Sequence, residues 1–586
     1  MKQQLEQLLL SALQKLSGTL LTDVPDASVI SVERTRDPQH GDFATNVALR
    51  LAKAARRNPR ELANAIIAAL PASPLVAKTE VAGAGFINFF LTTDSFAREI
   101  GRIHELGESY GHSALGQGQR VLVEFVSANP TGPLHVAHGR HAAYGASLAN
   151  VLVAAGFDVN REYYINDAGR QVDIVTASVW LRYLETFGES IVMPVNGYPG
   201  DYLKPVAQKL RDTVGEQLRR SPADVYAGLP PDEPAGGDKE VYIDAIIERM
   251  RTLIGADEFR RVMDVSLDAL LADIRNDLEE YGVVFDRWYS ERSLSTNGAI
   301  DRALARLEKQ GHLYKKDGAT WFRATEFGDE KDRVVVRENG QRTYFASDIA
   351  YHLDKRERGF EKLIDVLGAD HHGYIARVRA GLAAMGEPPE SLEVPLIQLV
   401  TLYRGEEQLR MGKRTGQFVT LRQLRSDVGN DACRFFFLLR GHEQNLDFDL
   451  ELAKSRTNEN PVFYIQYAHA RVASVMKQLA SRGLAFDPAA GLANLSLLAT
   501  DQEQALITAL LRYPEAVEQA AINRSPHSIV YYLRELANAF HTYYNAAQFI
   551  VEEADLRNAR LALVLAARQV IRNGLTLLGV SAPEIM

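Results

Sequence analysis

Two short stretches of the chain carry residues whose types and spacing could do chemistry on a polyphosphate. The first is Asn129-Pro130-Thr131-Gly132-Pro133-Leu134-His135-Val136-Ala137-His138-Gly139, which sets two histidines three apart at the expected start of a helix. A helix start offers free backbone N–H groups and a partial positive charge, so it attracts anions. Two imidazoles on one face can donate hydrogen bonds to phosphate oxygens. Gly139 would let the backbone approach a base or ribose closely. The same histidines could instead hold a metal or cap the helix. A metal pair is disfavoured, because the chain has one cysteine, Cys433, and no third ligand lies nearby in sequence. The second stretch is Leu409-Arg410-Met411-Gly412-Lys413-Arg414-Thr415-Gly416, a short basic loop far along the chain. A basic loop can close over a triphosphate and neutralise charge developing at the α-phosphate. Alone, such a run is an ordinary solvated turn.

Something must position these residues, and 586 residues are enough for several domains. A composition 46% hydrophobic and 24% charged is that of a globular protein, which excludes a disordered or fibrous chain. A single cysteine excludes an intrachain disulfide and cysteine-rich zinc modules, and fits a reducing compartment. The N-terminus lacks the basic start, apolar run and cleavage site of a signal peptide. No apolar run reaches the ~18 residues of a membrane span. Net charge is -9, from 66 basic and 75 acidic residues, and nearly all of the excess lies in the middle of the chain. The balance argues weakly against a nucleic-acid partner, yet both flanks could present local basic faces.

Residues 1–112 read as a small α+β domain: a leucine-rich helix, a strand at ASVISVERT, helices over Phe43–Ala55 and Pro59–Leu70, and a strand at AGAGFINFFL. Its Lys53, Arg56, Arg57 and Arg60 form a basic cluster, whose bland alternative is a solvated helix end. The run VLVEFVSA predicts a buried parallel strand over 121–128. The histidine loop, a small-residue helix over about 139–155 and a strand at FDVNREYYIND complete a βαβ unit. Further strands are expected at EKLIDVLGADH and EVPLIQLVTLY. Between them lies a long insertion, about 175–290, containing the loop SPADVYAGLPPDEPAGGDKE. From about residue 430 the chain is helix after helix. The fold class expected is multidomain α/β: a Rossmann-type parallel-sheet catalytic domain with an insertion, flanked by an N-terminal α+β domain and a C-terminal all-α bundle. The expected divisions are 1–112, 113–400, 401–456 and 457–586.

The two loops together resemble the HIGH and KMSKR signatures of class I aminoacyl-tRNA synthetases, here reading HVAH and RMGKR. Ala137, Arg410 and Gly412 depart from the consensus, while Lys413 keeps the second lysine. Longer stretches, EFVSANPTGPLHVAHGRH, YYINDAGRQ, HGDFATNVALRLAK, NPVFYIQYAHAR and SAPEIM, look like bacterial-type arginyl-tRNA synthetases. Asp431-Ala432-Cys433-Arg434 resembles the DALR motif that opens the family's anticodon-binding domain. The resemblance covers essentially the whole chain. It implies ATP-dependent attachment of L-arginine to its tRNA through an arginyl-adenylate, activation that needs bound tRNA, Mg²⁺ with the ATP, no zinc, and a cytoplasmic monomer with no DNA or membrane partner.

Residue by residue, the resemblance implies that His135, His138, Lys413 and Arg414 are catalytic. ATP would meet His135, His138, Gly139, Met411 and Lys413. Arginine would meet Glu124, Ser127, Asn129, Tyr344, Asp348 and Asp370. The chemistry agrees, since a guanidinium with five fixed donors wants carboxylates that accept bidentate bonds. An acid in a buried strand can also be a structural ion pair, but Glu124 has apolar neighbours and no partner close in sequence. Asp370 could pair with the substrate α-ammonium or simply cap a turn. For tRNA, the resemblance points to Arg57, Arg60, Tyr544 and Arg568, although aromatics at helical spacing, Tyr531, Tyr532 and Tyr543 among them, are more often core. A cysteinyl-tRNA synthetase, a small nucleotidylyltransferase and a catalytically silent tRNA-binding relative remain as rivals. The lone cysteine weighs against the first, and the long flanks against the second.

Overall fold

Five short parallel strands form the sheet that positions everything else: β1 (Arg120–Glu124), β2 (Asp158–Ile165), β3 (Arg287–Ser290), β4 (Lys362–Asp365) and β5 (Leu392–Glu393). Their spatial order is β5-β4-β1-β2-β3. That is the Rossmann order, and its switch point lies between β1 and β4, where ligands bind at the carboxyl ends of the strands. The computed structural model describes residues 1–586 apart from 24, 25, 27, 28, 36, 372 and 410–418.

Apolar residues make β1 a central strand: Val121, Leu122 and Val123 are all fully buried, covered on both faces. The strand stops at Glu124, earlier than 128, because Val126 (φ 69°) and Ser127 (φ 40°) turn left-handed. Such values are unusual for side-chain-bearing residues, and outliers for a β-branched valine. Helix α1 (Val136–Ala154) follows, its glycines and alanines letting it pack closely. Between β2 and β3 the insertion runs from α2 (Arg170–Glu185) to α3 (Ala256–Glu280) and has its own core around Trp180, Leu210, Ile247 and Val262. Arg287–Ser290, expected inside the insertion, is instead the edge strand of the sheet. The stretch 221–240, read as loop, contains a short helix, Pro222–Tyr226, started by Ser221 and proline.

After β3 come α4 (Glu291–Thr296), a helix at Ala299–Lys309, a small three-stranded antiparallel sheet and α5 (Tyr344–Glu357). Helix α6 (Tyr374–Ala384) links β4 to β5. The remainder includes α7 (Leu421–Val428), α8 (Asn430–Phe437), α9 (Pro461–Ser481), α10 (His527–Ala546) and α11 (Ala554–Leu577).

The N-terminal part is a four-stranded antiparallel sheet under three helices. Phe43–Thr45, expected as helix, pairs as a strand with Phe86–Leu91, and the helix starts only at Val47. Phe43 is fully buried there, and hydrophobic spacing alone does not separate so short a strand from a helix start. Strand Val76–Ala82 was not expected; only its partner Phe86–Leu91 carries a continuous apolar run.

Side chains lock the helical part onto α1. Tyr144 donates to the Arg524 carbonyl (2.8 Å), Ser147 to Leu578 (3.3 Å) and Asn150 to Leu577 (3.1 Å). Within the DALR-like motif, buried Arg434 donates to the carbonyls of Leu578 (3.0 Å) and Tyr281 (3.1 Å), and Asp431 accepts from the Ser581 N–H (3.0 Å). That motif is a clamp for the chain's last residues.

Candidate active site

One row of residues runs across the sheet at the carboxyl ends of its strands. Asp365 of β4 is in register with Glu124 of β1, Glu124 with Glu162 of β2, and Glu162 with Arg287 of β3. Residues in register on adjacent strands point to the same face, so three carboxylates line up beneath α5. Such a row needs cations. Helix α5 supplies them three residues apart, Lys355 and Arg358, on one helical face. The Lys355 ammonium lies 2.6 Å from Glu124 Oε2 and 2.7 Å from Asp365 Oδ1, fully out of solvent. Arg358 is bidentate to Glu162, at 2.6 and 2.8 Å. His352 Nε2 lies 2.7 Å from Asp365 Oδ2, and the Tyr351 hydroxyl donates to Glu162 (2.7 Å).

Glu124 is therefore not without a partner; its ion pair is supplied from far along the chain. Ser127 also donates to it (2.9 Å), and the Ser127 oxygen accepts from the Tyr164 N–H (3.1 Å). The single hydroxyl proton of Ser127 is thus used inside the protein. These bonds, with Asn166 donating to the Ser127 carbonyl (2.8 Å), hold the left-handed turn at the end of β1.

What α5 leaves open is at its start. Thr343 caps it, accepting from the Ala346 N–H (3.4 Å) and donating to the Val334 carbonyl (2.8 Å). Tyr344 and Asp348 follow one turn apart. The Tyr344 hydroxyl leans on Gly169, where a Cβ would come within 2.5 Å of it, so this spot with φ +88° accepts only glycine. Asp348 has its carboxyl pushed up to about 6, by burial first and then by the Glu124 charge, against the pull of His352 and Arg377. Glu291, the first residue of α4, is pushed up to about 7 by burial, then by Asp348 and Asp167. The start of α4 is fixed by Asp167, which accepts from the Ser290 hydroxyl (2.6 Å) and the Arg292 N–H (3.0 Å). Two carboxylates thus repel each other at the strand ends and disfavour their own ionisation. Burial and the charges of Glu291, Asp348 and Glu124 raise the Tyr164 phenol as well. Burial with Asp348 and Asp365 raises Tyr374, so both hydroxyls keep their protons as donors. An entering cation would relieve the whole set.

Beside this pocket is the histidine loop. His138 Nδ1 accepts from the His135 backbone N–H (3.2 Å), and the two rings stack at 3.7 Å. Capping and phosphate binding are thus compatible. With Nδ1 accepting, a neutral His138 carries its proton on Nε2. His141, one turn on, is pushed down to about 4, chiefly by burial and then by His135 and Arg140. The charges of Asp370 and His371, in the exposed turn after β4, also reach His141. Asn129 is exposed at the tip of the loop. At Gly139 a Cβ would meet Leu421 at 2.7 Å and Phe437 at 2.9 Å, so the missing side chain lets α7 and α8 approach α1 closely.

Arg410, Met411, Lys413 and Arg414 lie outside the described residues, as does His372. The chain rejoins beside the histidines. Thr420 bridges His135, and the Leu421 N–H donates to the Leu134 carbonyl (2.8 Å). From Thr420, six to seven residues separate the bridge from Lys413 and Arg414, a reach of roughly 20–25 Å when extended.

For the nucleic-acid candidates, Lys53, Arg56, Arg57 and Arg60 are all exposed, with Arg60 donating to the Gly83 carbonyl. Tyr544 is half-buried and packs on Arg471 (4.5 Å), whose other face meets Tyr467 (4.4 Å). Arg471 also donates to His541 Nδ1 (3.0 Å). Arg568 is paired with Glu584 and so is not an open phosphate contact. Tyr532 and Tyr543 are core, bonded to the Ala509 carbonyl and to Glu503. Arg471, Glu291, Lys355, Asp365 and Tyr164 were not singled out as site residues from the sequence. The strand-end rule could have pointed to Glu291, which directly follows β3.

Comparisons with known proteins cover the whole chain. The profile described as "Arginyl tRNA synthetase N terminal domain" matches residues 3–91. "tRNA synthetases class I (R), catalytic domain" matches 103–195 and 248–439, skipping part of the insertion, and "DALR anticodon binding domain" matches 465–586. An arginine–tRNA ligase of Thioalkalivibrio sulfidiphilus is 58% identical over 588 aligned residues, covering all of both chains. One from Legionella pneumophila strain Paris is 53% identical with the same coverage. The solved arginyl-tRNA synthetase of Thermus thermophilus superposes with a TM-score of 0.72 at 26% identity, again over all of both chains.

Proposed function

The chain belongs to the arginyl-tRNA synthetase family, and from that premise we propose the division of labour by which its residues join L-arginine to tRNA with ATP. One observation carries the reading. Asp348 near the start of α5 and Glu291 at the start of α4 have both carboxyls held up toward neutrality, by burial first, and the Asp348 charge acts on Glu291. A guanidinium fits that need, because its planar donors bond two carboxylates at once and its charge relieves their repulsion. Tyr344 lies alongside as a further polar group, and Asp370 with Asn129 receives the amino-acid head.

The arginine carboxylate then attacks the α-phosphorus of ATP, the bond to the β-phosphate breaks, and pyrophosphate leaves. Catalysis is mainly positioning and charge stabilisation. His135 and His138 donate to phosphate oxygens from the start of α1, whose free N–H groups add to the field. Lys413 and Arg414 take up the charge on the departing pyrophosphate. In the second step a ribose hydroxyl at the tRNA 3′ end attacks the adenylate carbonyl and AMP leaves. The exposed Lys53–Arg60 cluster and the Arg471–Tyr467–Tyr544 stack are the tRNA contacts we propose in the 1–112 and 457–586 divisions. Among the described residues no group of three His, Cys, Asp or Glu could hold a metal. The donors present suit Mg²⁺ only as a companion of the ATP phosphates, where it would neutralise phosphate charge. Among the described residues no helix is long and apolar enough to cross a membrane. A cytoplasmic monomer that binds no DNA is the reading that the family resemblance suggests.

The test is ATP–pyrophosphate exchange with each of the twenty amino acids, with and without total tRNA. Exchange with arginine alone, and only when tRNA is added, is expected. Exchange with another amino acid would overturn the assignment of the pocket. No exchange with tRNA binding intact would point to a silent relative.

A further inference from the structure

Among the charged or chargeable side chains that meet around α5 are Glu124, Asp365, Asp348 and Glu291 on the acidic side and Lys355 and His352 on the other. Among the described residues, no cation is bonded to Asp348 or Glu291, whereas Glu124 and Asp365 are paired. Glu124 sits on the neighbouring strand end, close enough that its charge acts on Asp348. With nothing holding it, Glu124 would be a third acceptor competing for a guanidinium. Lys355 prevents this by geometry. Its ammonium donates to Glu124 Oε2 and Asp365 Oδ1, it has no exposed surface, and the Tyr351 ring lies 4.2 Å from it.

We propose that Lys355 is a positioning residue for arginine selection, a fixed internal cation that commits Glu124 to Asp365 and the sheet and reserves Asp348 and Glu291 for the substrate. The proposal rests on the reading of Asp348 and Glu291 as the guanidinium acceptors. It departs from the expectation that Glu124 itself binds arginine. A buried ion pair of this kind is weak evidence for stability, but removing one partner strands the other charge. The Lys355 charge also helps hold Asp348 in its ionised form. It does so together with His352 on the same helix and Arg377 on α6, against Glu124 on β1 and Glu291 on α4, with the neutral hydroxyls of Tyr164 and Tyr374 facing the same carboxyl.

The experiment is a two-residue cycle in the full-length enzyme, with Lys355→Met, Glu124→Gln and both together, read by tRNA-dependent ATP–pyrophosphate exchange. Lys355→Met should raise the KM for arginine by about 30-fold, while the KM for ATP stays within about threefold. The acid limb of kcat/KM for arginine should move to higher pH. In the double variant the charge on Glu124 is gone and Asp365 keeps His352 as its partner, so the arginine KM should fall back to within about fivefold of wild type and the acid limb should return. If Lys355→Met does not fold, the double variant against Glu124→Gln alone still decides. Nearly equal arginine KM values support the proposal, because Lys355 then acts only through Glu124. Effects that multiply, or that fall equally on ATP, would overturn it. So would a Glu124→Gln variant whose arginine KM rises as much as that of Asp348→Asn, which would make Glu124 a direct ligand. Failure of Asp348→Asn itself to alter the arginine KM would instead remove the underlying reading.

Discussion

Replacing Asp348 by Asn should cost the enzyme its substrate and make the empty protein more stable. In the free enzyme burial holds the Asp348 carboxyl up to about 6, against 3.8 for an ordinary aspartate. Two units correspond to about 3 kcal/mol of disfavour for the ionised form at neutral pH. Solvent reaches part of the group, so we take about half, 1–2 kcal/mol, as the strain that Asn removes. The sign follows from the raised value. The penalty is present above pH 6, fades as pH falls through 6, and is gone below 3.8. Asn is nearly isosteric, and no hydrogen bond to the side chain is lost. With arginine bound the balance reverses, because a charge-assisted bond to the guanidinium is worth about 1.5–3 kcal/mol. The KM for arginine should rise between about 10- and 100-fold, with that for ATP unchanged within a factor of about two. Thermal unfolding of the free protein at pH 7.5 and exchange kinetics on one preparation test both halves. A variant that is less stable and loses arginine and ATP affinity equally would refute the reasoning, since Asp348 would then be holding the fold.

Three further outcomes follow. In the wild type, arginine affinity should be highest above pH 7 and decline as pH falls through 6, as Glu291 (about 7) and Asp348 (about 6) take up protons, while ATP affinity stays flat; an arginine KM that is level from pH 8 to 5.5 would exclude this pair. Lys413→Ala should lower kcat more than it raises either KM, and a pure KM effect in exchange kinetics would deny it a transition-state role. Gly139→Ala should destabilise the junction of α1 with α7 and α8 by about 1–3 kcal/mol, measured by denaturant unfolding, because the new methyl meets Leu421 at 2.7 Å; a neutral result would show that α7 moves freely.

Much of the site was legible from local sequence, and the rest was hidden for physical reasons. Tyr344 and Asp348 sit one helical turn apart, so spacing alone places them together. His135 and His138 follow a strand and start a helix, which the Pro/Gly loop announces. Glu124 could be located but not interpreted, because its partner Lys355 lies 231 positions away and meets it only through the β1–β4 crossover. Glu291 was missed because Arg287–Ser290 was read as part of the insertion, so its place at the end of a sheet strand did not show. Phe43–Thr45 was read as helix because three residues are too few for alternation to show, and the pairing with Phe86–Leu91 decides the matter. Arg568 looked available because its counter-charge, Glu584, comes from the last turn of chain.

The bonds from α1 to the end of α11 also bear on how the chain is made. All five strands of the sheet have been synthesised by residue 393, well before α9, α10 and α11. Yet Val121, Val123 and Ile364 of the sheet share one continuous core with Leu152 of α1 and with Leu575, Leu578 and Val580. Because synthesis runs from the N-terminus, the nascent chain carries an unfinished apolar face until its final residues emerge. A stop codon just after Asn573 would therefore do more than trim a terminus. It would remove the carbonyls that receive Ser147, Asn150 and Arg434 and leave the helix bearing the two histidines open on one side. The chain must be translated past Val580 before the first step of the reaction has a finished site.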